Sequence, residues 1–447
     1  MMQRKATLGI ARCCSPALLL LFAALVQAQA DAFERDRMKR ILKNVSQEVE
    51  RNFYDPQMRG LDWKALTEQA SERIDKANSV GAMLTAIFAL VEKLKDSHTF
   101  FIPPARPVTP LFGFEAKPFG DEIRIHKLKK GGAAAAGGLQ LGDRLVSING
   151  FRVERSSVDL MMLDFRHLWP VRLMEIAYSR NNEAPQKVRV EAKLKKEAIT
   201  EDLRTLDSIY RYLQESGDEY GEREEVYAST ASFAAGAIAY LKLKTFAIST
   251  DNADGLVERL QKSRAYIVDL RENTGGSVDA LLAFANHFEE QPTTMGEIVR
   301  RKKTDKLELK PKRPILGGPL FILVDSHSMS ASEMFARHFQ RSGRAKIVGD
   351  RSPGRVNAAH IIPLETGTGV IVAYGVEVSV GRVVFPGGEQ LEGLGVTPDV
   401  PCVPSEGDLR AERDTCRALA LSLARKALGL PETGAAETEK KIEANRP

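Results

Sequence analysis

Long apolar runs are scarce in this chain. After PALLLLFAALV (Pro16–Val26), no stretch is long and apolar enough to span a bilayer, so no stable membrane insertion is expected. Cysteine is rare as well. There are four, and Cys13 and Cys14 fall within the first thirty residues, which leaves Cys402 and Cys416 as the only pair for a bridge later in the chain. There is no HExxH and no clustered Cys/His spacing, so no metal and no cofactor are implied. The basic run RRKKTDKLELKPKR (Arg300–Arg313) has no interleaved aromatics on which bases could stack. It reads as a solvated hairpin and not as a nucleic-acid site.

What is present is a chain of 447 residues, 43% hydrophobic and 28% charged, enough to bury cores in two or three domains. Arg4, Lys5 and Arg12 precede the one apolar run, and AQA (Ala28–Ala30) follows it. That order matches a secretory signal peptide over residues 1–30, with a soluble product exported to the periplasm or outside the cell. Removing the segment lowers the net charge from +5 to +2, so the basic pI says little about partners. An exported compartment permits a Cys402–Cys416 disulfide; the alternative is two separate buried thiols.

Residues 31–104 carry apolar residues at three- and four-residue spacing and read as a helical region ending in DSHTFFIPP. Residues 107–197 read as a compact β-rich module, with short strand patterns around Gly/Asp and Asn-Gly turns. A polar helical connector, 198–229, leads to residues 230–405. There, AIAYLKLKTF, AYIVDLREN, PLFILVD and AKIVGD alternate with helical patterns, which implies a mainly parallel sheet with crossover helices. Residues 406–447 read as a last helix and a charged tail. The fold class is multi-domain α/β.

SMSASE (Ser328–Glu333) places serines at every second position between an apolar strand and a helix. Ser330 with Glu333 fits a capping box. The same placement, at a helix N-terminus, would also stabilise an oxyanion on an attacking serine. VDLRENTGGS (Val268–Ser277) puts Gly275 and Gly276 after another strand of the same sheet, where bare backbone can approach a carbonyl closely. Both loops lie at C-terminal strand ends, where open α/β sheets bind ligands.

Taken together, these blocks resemble the carboxyl-terminal processing (tail-specific) serine peptidases, in the broader group that includes the tricorn core. GGAAAAGGLQLGDRLVSINGFRV resembles the central segment of a PDZ domain, and LFGF (Leu111, Phe112, Gly113, Phe114) its carboxylate-binding loop. AIAYLKLKTF, VDLRENTGG, FILVDSHSMSASEMFARHFQRSGRAKIVGDRSPG and LEGLGVTPDV follow the peptidase core in order. The resemblance implies a core of the ClpP/crotonase-like type with Ser330 as nucleophile. It implies an oxyanion hole from the N–H groups of Ala331 and of Gly275 or Gly276, and protein or peptide substrates held by a free C-terminus. It says nothing about oligomeric state.

One departure matters. In the Ser-Lys branch a lysine follows the nucleophile in a TxGKG block; here the block is SPGRV, with Arg355 at the lysine position and Ala359 where a supporting glutamine is usual. An arginine stays protonated and cannot take the serine proton. In the tricorn-like branch a Ser-His block supplies the base, which Ser97 and His98 match, with a core glutamate as orienting acid. Glu377 is the expected acid and Glu392 its competitor; His360 and His327 are the other histidines near the motifs. The expected function is an exported serine endopeptidase. The alternative is an inactive relative that binds C-termini through its PDZ-like module.

Overall fold

The computed structural model describes residues 16–105, 108–196, 227–234, 236–367 and 371–431. Helix α1 (Pro16–Asn52) passes without a break through the expected cleavage site at Ala28–Ala30. Met38, Ile41, Leu42, Val45 and Val49 recur at helical spacing and are buried on one face. Asp62 and Ser79 cap α2 (Trp63–Lys76) and α3 (Val80–Val91), accepting from the N–H groups of Ala65 and Ala82. These three helices pack over a long strand to which Tyr374, Val376 and Val378 belong. A short 3₁₀ turn at Glu92–Leu94 and a left-handed Lys95 redirect the chain into the Asp96–Thr99 turn. Strand β1 (Phe100–Ile102) follows.

The β-rich module begins with β2 (Val108–Leu111) and ends with β9 (Lys193–Lys196), which pair antiparallel at its neck. Between them, β3 (Phe114–Phe119), β4 (Glu122–Leu128), β5 (Arg144–Ile148), β7 (Leu173–Ser179) and β8 (Gln186–Glu191) form one sheet in that order. The two-residue β6 (Phe151–Arg152) pairs with β5. Phe112, Phe114, Ile125, Ile148 and Ile176 fill its core. Helix α4 (Ala133–Ala136) is short, and α5 (Val158–Leu163) runs into a π turn at Asp164–Leu168 that sequence periodicity did not indicate.

The core sheet orders β10 (Ala228–Phe233), β11 (Ile238–Leu243), β12 (Ala265–Asp269), β15 (Leu320–Val324), β16 (Ala345–Gly349) and β19 (Val400–Pro401). β10 is antiparallel to β11; the remaining pairs are parallel. Every residue of β12 and β15 is buried, as expected of parallel strands covered on both faces. Helices α6 (Thr250–Leu260), α7 (Val278–Ala285) and α8 (Ala331–Arg341) cover one face around Phe246, Phe284, Phe288, Phe335 and Phe339. Helix α9 (Thr415–Ala427) covers the other and is tied to the β19 end by a Cys402–Cys416 disulfide.

A second sheet joins β1, β18 (Val372–Val384), β13 (Thr293–Val299) and β14 (Thr304–Leu309), with β17 (Ala358–Thr366) also on β18. β13 and β14 form an antiparallel hairpin through the basic run. Residues 1–15 of the expected signal peptide, residues 198–226 of the expected helical connector and the tail from 432 lie outside the described residues; β10 already begins inside the expected connector.

Candidate active site

β15 ends at Val324, and the chain turns sharply through Asp325–Ser330 before α8 starts at Ala331. Ser330 sits at φ +56°, ψ −118°, a costly conformation for a residue with a side chain. Three contacts hold it there. Its N–H donates to the Arg355 carbonyl at 2.6 Å and to Glu333 Oε2 at 3.2 Å. Met329 N–H donates to the Asn273 carbonyl at 2.9 Å. Asn273 is fully buried, and its own Oδ1 accepts from Gly275 N–H at 2.9 Å. One asparagine therefore fastens the glycine loop to the serine loop.

The glycines are required by contact. A Cβ on Gly275 would lie 2.6 Å from Ser330 Cβ, and one on Gly276 would lie 2.1 Å from Ala247 N. Gly275 already spends its N–H on Asn273, and among the described residues no hydrogen bond occupies the N–H of Gly276 or of Ala331. Of the two glycines named from sequence, Gly276 is the one left with a free donor.

Glu333 does more than close a capping box. Its Oε1 accepts from Ser352 Oγ at 2.5 Å and Gly354 N–H at 2.7 Å; its Oε2 accepts from Arg355 N–H at 2.8 Å. Burial pushes its pKa up to about 7, against these donors. The result fixes the 352–355 loop beside Ser330. That loop continues toward the histidine: Val356 and Asn357 N–H donate to Glu392 Oε2 at 3.1 and 3.3 Å, and Asn357 Nδ2 to Asp96 Oδ2 at 3.1 Å.

On that far side stands His98. Its Nδ1 lies 3.0 Å from Ser97 Oγ, and Ser97 N–H donates to Glu392 Oε1 at 3.1 Å. Asp96 Oδ1 accepts from His98 N–H at 3.2 Å and Thr99 Oγ1 at 2.8 Å, and also from Ser379 Oγ. Burial, and then the positive charge of Arg355, lower the His98 pKa to about 4. The imidazole is therefore neutral at neutral pH, with Nε2 unoccupied among the described residues. No hydrogen bond joins His98 to Ser330 Oγ; the 352–357 segment bridges them.

The remaining expected residues separate. Glu377, on β18, pairs across from Phe100 and Ile361 and makes no hydrogen bond to His98. Burial, opposed by Arg355, raises its pKa to about 7. Glu392, the competitor, is the acid that reaches the Ser97–His98 turn. His360 is exposed on β17, and His327 faces Asp159 of the β-rich module with Nε2–Oδ1 at 3.6 Å. Phe112 and Phe114 of LFGF are fully buried, Gly113 sits at φ +78° against the Gly132–Ala133 backbone, and Leu111 ends β2.

Sequence reasoning passed over Asn273 and Asp96, which join loops far apart in the chain, and read Glu333 only as a cap. It also passed over Lys117. This buried residue of β3 donates to Glu272 Oε1 at 2.6 Å and Asp325 Oδ2 at 2.8 Å, one acid in the glycine loop and one in the serine loop. β3 touches the core again where Ser326 Oγ donates to the Pro118 carbonyl at 2.8 Å. A cavity of about 1430 Å³ opens between the helical layer, the β-rich module and the core; Asp96, Ser97, Arg355 and Glu392 line it, whereas Ser330 and His98 are not among its lining residues. Among the described residues no acid, histidine and cysteine cluster could hold a metal ion.

Residues 237–402 match the model of peptidase family S41, residues 107–166 that of the PDZ domain, and residues 35–84 that of the tricorn protease C1 domain. A carboxyl-terminal-processing protease of Picosynechococcus sp. is 25% identical over 87% of this chain and 88% of its own length. Carboxyl-terminal-processing peptidase 1 of Arabidopsis thaliana chloroplasts is 26% identical over 67% of this chain but only 56% of its own length. Among solved structures, mature CPAF complexed with lactacystin superposes with a TM-score of 0.63 at 13% identity, over 89% of this chain and all of that one, which shows a shared fold. The chain therefore carries a PDZ domain ahead of a peptidase family S41 domain, and the relatives it resembles over most of its length are carboxyl-terminal processing proteases.

Proposed function

We propose that the protein is a serine endopeptidase of the Ser-His type. Ser330 is the nucleophile and His98 the base, and substrates are proteins or peptides presented by a free C-terminus. The observation that carries this reading is the Glu392–Ser97–His98 chain of contacts around a neutral imidazole. With its proton on Nδ1 donated to Ser97 Oγ, the ring offers a bare Nε2 as proton acceptor. Glu392 is a positioning residue: it holds the Ser97 backbone and so the ring. Arg355 occupies the place of the Ser-Lys lysine and stays charged, so the proton must go elsewhere.

The reaction follows. His98 takes the Ser330 proton as Oγ attacks the scissile carbonyl. The N–H groups of Ala331 and Gly276 receive the oxyanion, and the imidazolium then protonates the leaving amine. Water, deprotonated by His98, hydrolyses the acyl-enzyme. The gap between Ser330 and His98 closes when substrate enters, since catalytic hydrogen bonds tighten in the bound complex. The PDZ domain holds the C-terminal carboxylate of the substrate at the Leu111–Phe114 loop. Glu377 contributes a buried carboxyl near the site and not the orienting contact. The apolar run before Asp31 and the Cys402–Cys416 bridge favour an exported protein.

Labelling with a fluorophosphonate probe tests the assignment. Wild type should react, and Ser330→Ala and His98→Ala should both lose labelling. Loss in Ser330→Ala alone would reject His98 as base. A folded wild type that never labels would favour the non-catalytic, C-terminus-binding reading.

A further inference from the structure

We infer that Arg355 is a substrate-binding residue that takes a carboxylate of the substrate beside the scissile bond. The inference rests on the peptidase reading and adds a substrate class to it.

The backbone of Arg355 is among the most tightly held at the site. Its N–H donates to Glu333 Oε2 at 2.8 Å, and its carbonyl accepts from Ser330 N–H at 2.6 Å. The side chain is not held in the same way. Its one polar contact among the described residues is Nη1 to the thioether of Met329 at 3.7 Å, a weak acceptor. Among the described residues no carboxylate lies within 4.0 Å of it. Glu92, Asp159 and Glu377 feel its charge from farther off. Arg355 is half-buried and lines the large cavity, next to Ser97 and Glu392.

Arg382 on the same wall also carries no ion pair among the described residues, but other guanidinium groups there are engaged. Arg59 pairs with Asp96 and Arg155 with Asp350. Arg355 therefore presents a fork of N–H donors, rigidly based one hydrogen bond from the nucleophile, with no anion in it. Such a fork fits a carboxylate in two-point geometry better than any other common peptide group. An arginine there serves no purpose as a base, and binding of this kind gives the position one. The carboxylate is either the substrate's own C-terminus, a few residues past the cleaved bond, or an Asp or Glu side chain.

The test begins with peptides from a denatured protein digest, offered native or with every carboxylate methyl-esterified. Cleavage sites are read by mass spectrometry. From one cleaved sequence, two synthetic pairs are made: free acid against C-terminal amide, and Glu or Asp against Gln or Asn. Wild type should prefer the carboxylate member of one pair by about tenfold in kcat/KM, the scale of a charge-assisted hydrogen bond. Arg355→Gln should lose that preference. Preference in the acid/amide pair assigns the C-terminus, and preference in the other assigns a side chain. Preference of equal size in Arg355→Gln, which would point to the PDZ loop, overturns the inference. So that the result does not hang on turnover, the same pairs are titrated by fluorescence anisotropy against Ser330→Ala with and without Arg355→Gln. The same loss of preference is expected, and equal affinity for both members in Ser330→Ala overturns the proposal. If wild type cleaves nothing, the peptidase reading falls, and the titrations still decide this one.

Discussion

Replacing Lys117 with methionine removes one ammonium and keeps the length of the stem. The consequence follows from where that ammonium sits. It is 6% exposed and contacts Glu272 and Asp325 at 2.6 and 2.8 Å. Burial alone would lower its pKa, but the two carboxylates hold it above the ordinary value. Asp325 is buried too. Burial would raise its pKa, yet the Lys117 charge holds it at about 2, against 3.8 for an ordinary Asp. That depression corresponds to about 2 kcal/mol. Breaking a buried charge cluster by removing one partner costs about 3–5 kcal/mol, because the remaining charges stay buried. A loss of about 3 kcal/mol at pH 7 is therefore expected in urea unfolding. An acid with a depressed pKa stabilises the fold above its ordinary pKa, and that contribution fades as pH falls toward about 2. The gap between wild type and Lys117→Met should thus be widest at neutral pH and narrow below about pH 4. Glu272 and Asp325 lie in the glycine loop and the serine loop of the proposed site, so fluorophosphonate labelling of the folded variant should slow as well. A stability change under about 0.5 kcal/mol at pH 7, or a gap that widens in acid, would refute the reasoning.

Gly275→Ala should fold yet label at least about a hundredfold more slowly, since its methyl group would lie 2.6 Å from Ser330 Cβ and displace the nucleophile; labelling at the wild-type rate would count against the packing described. Arg355→Gln removes a positive charge that lowers the His98 pKa, so the acid limb of the labelling rate against pH should move to higher pH; an unmoved or lowered midpoint would mean that His98 is not the group titrating. Serine at both Cys402 and Cys416 opens a loop of 14 residues and should cost about 3 kcal/mol in denaturant unfolding, a loss that dithiothreitol should reproduce in wild type; equal stability of oxidised and reduced protein would contradict it.

The alternation of strands and helices in the core was legible because parallel strands buried on both faces are unbroken apolar runs, as in AYIVD and LFILV. SMSASE, the glycine pair, SPGRV and DSH were legible because turn chemistry is local. What stayed hidden joins positions far apart. Nothing in REN marks Asn273 as the clasp on Met329, and nothing in FEAKPF marks Lys117 as the partner of acids 155 and 208 residues later. The choice between Glu377 and Glu392 was open for the same reason: a strand pattern tells which face a residue takes, not which loop of another segment packs against it. Glu333 was read only as a cap because three of its four donors come from the loop of Ser352, Gly354 and Arg355, about twenty residues on.

The Asp96–Thr99 turn lies outside the segment that matches the peptidase family, and it is fastened to Asn357 and Glu392 across sequence separations of 261 and 295 residues. On the proposed assignment, a peptidase core that has folded by itself carries a nucleophile with no proton acceptor. Hydrolytic power then requires the core and the Asp96–Thr99 turn together, and a copy in which the two are not docked is inert toward its neighbours, as a precursor protease is before its inhibitory segment is removed.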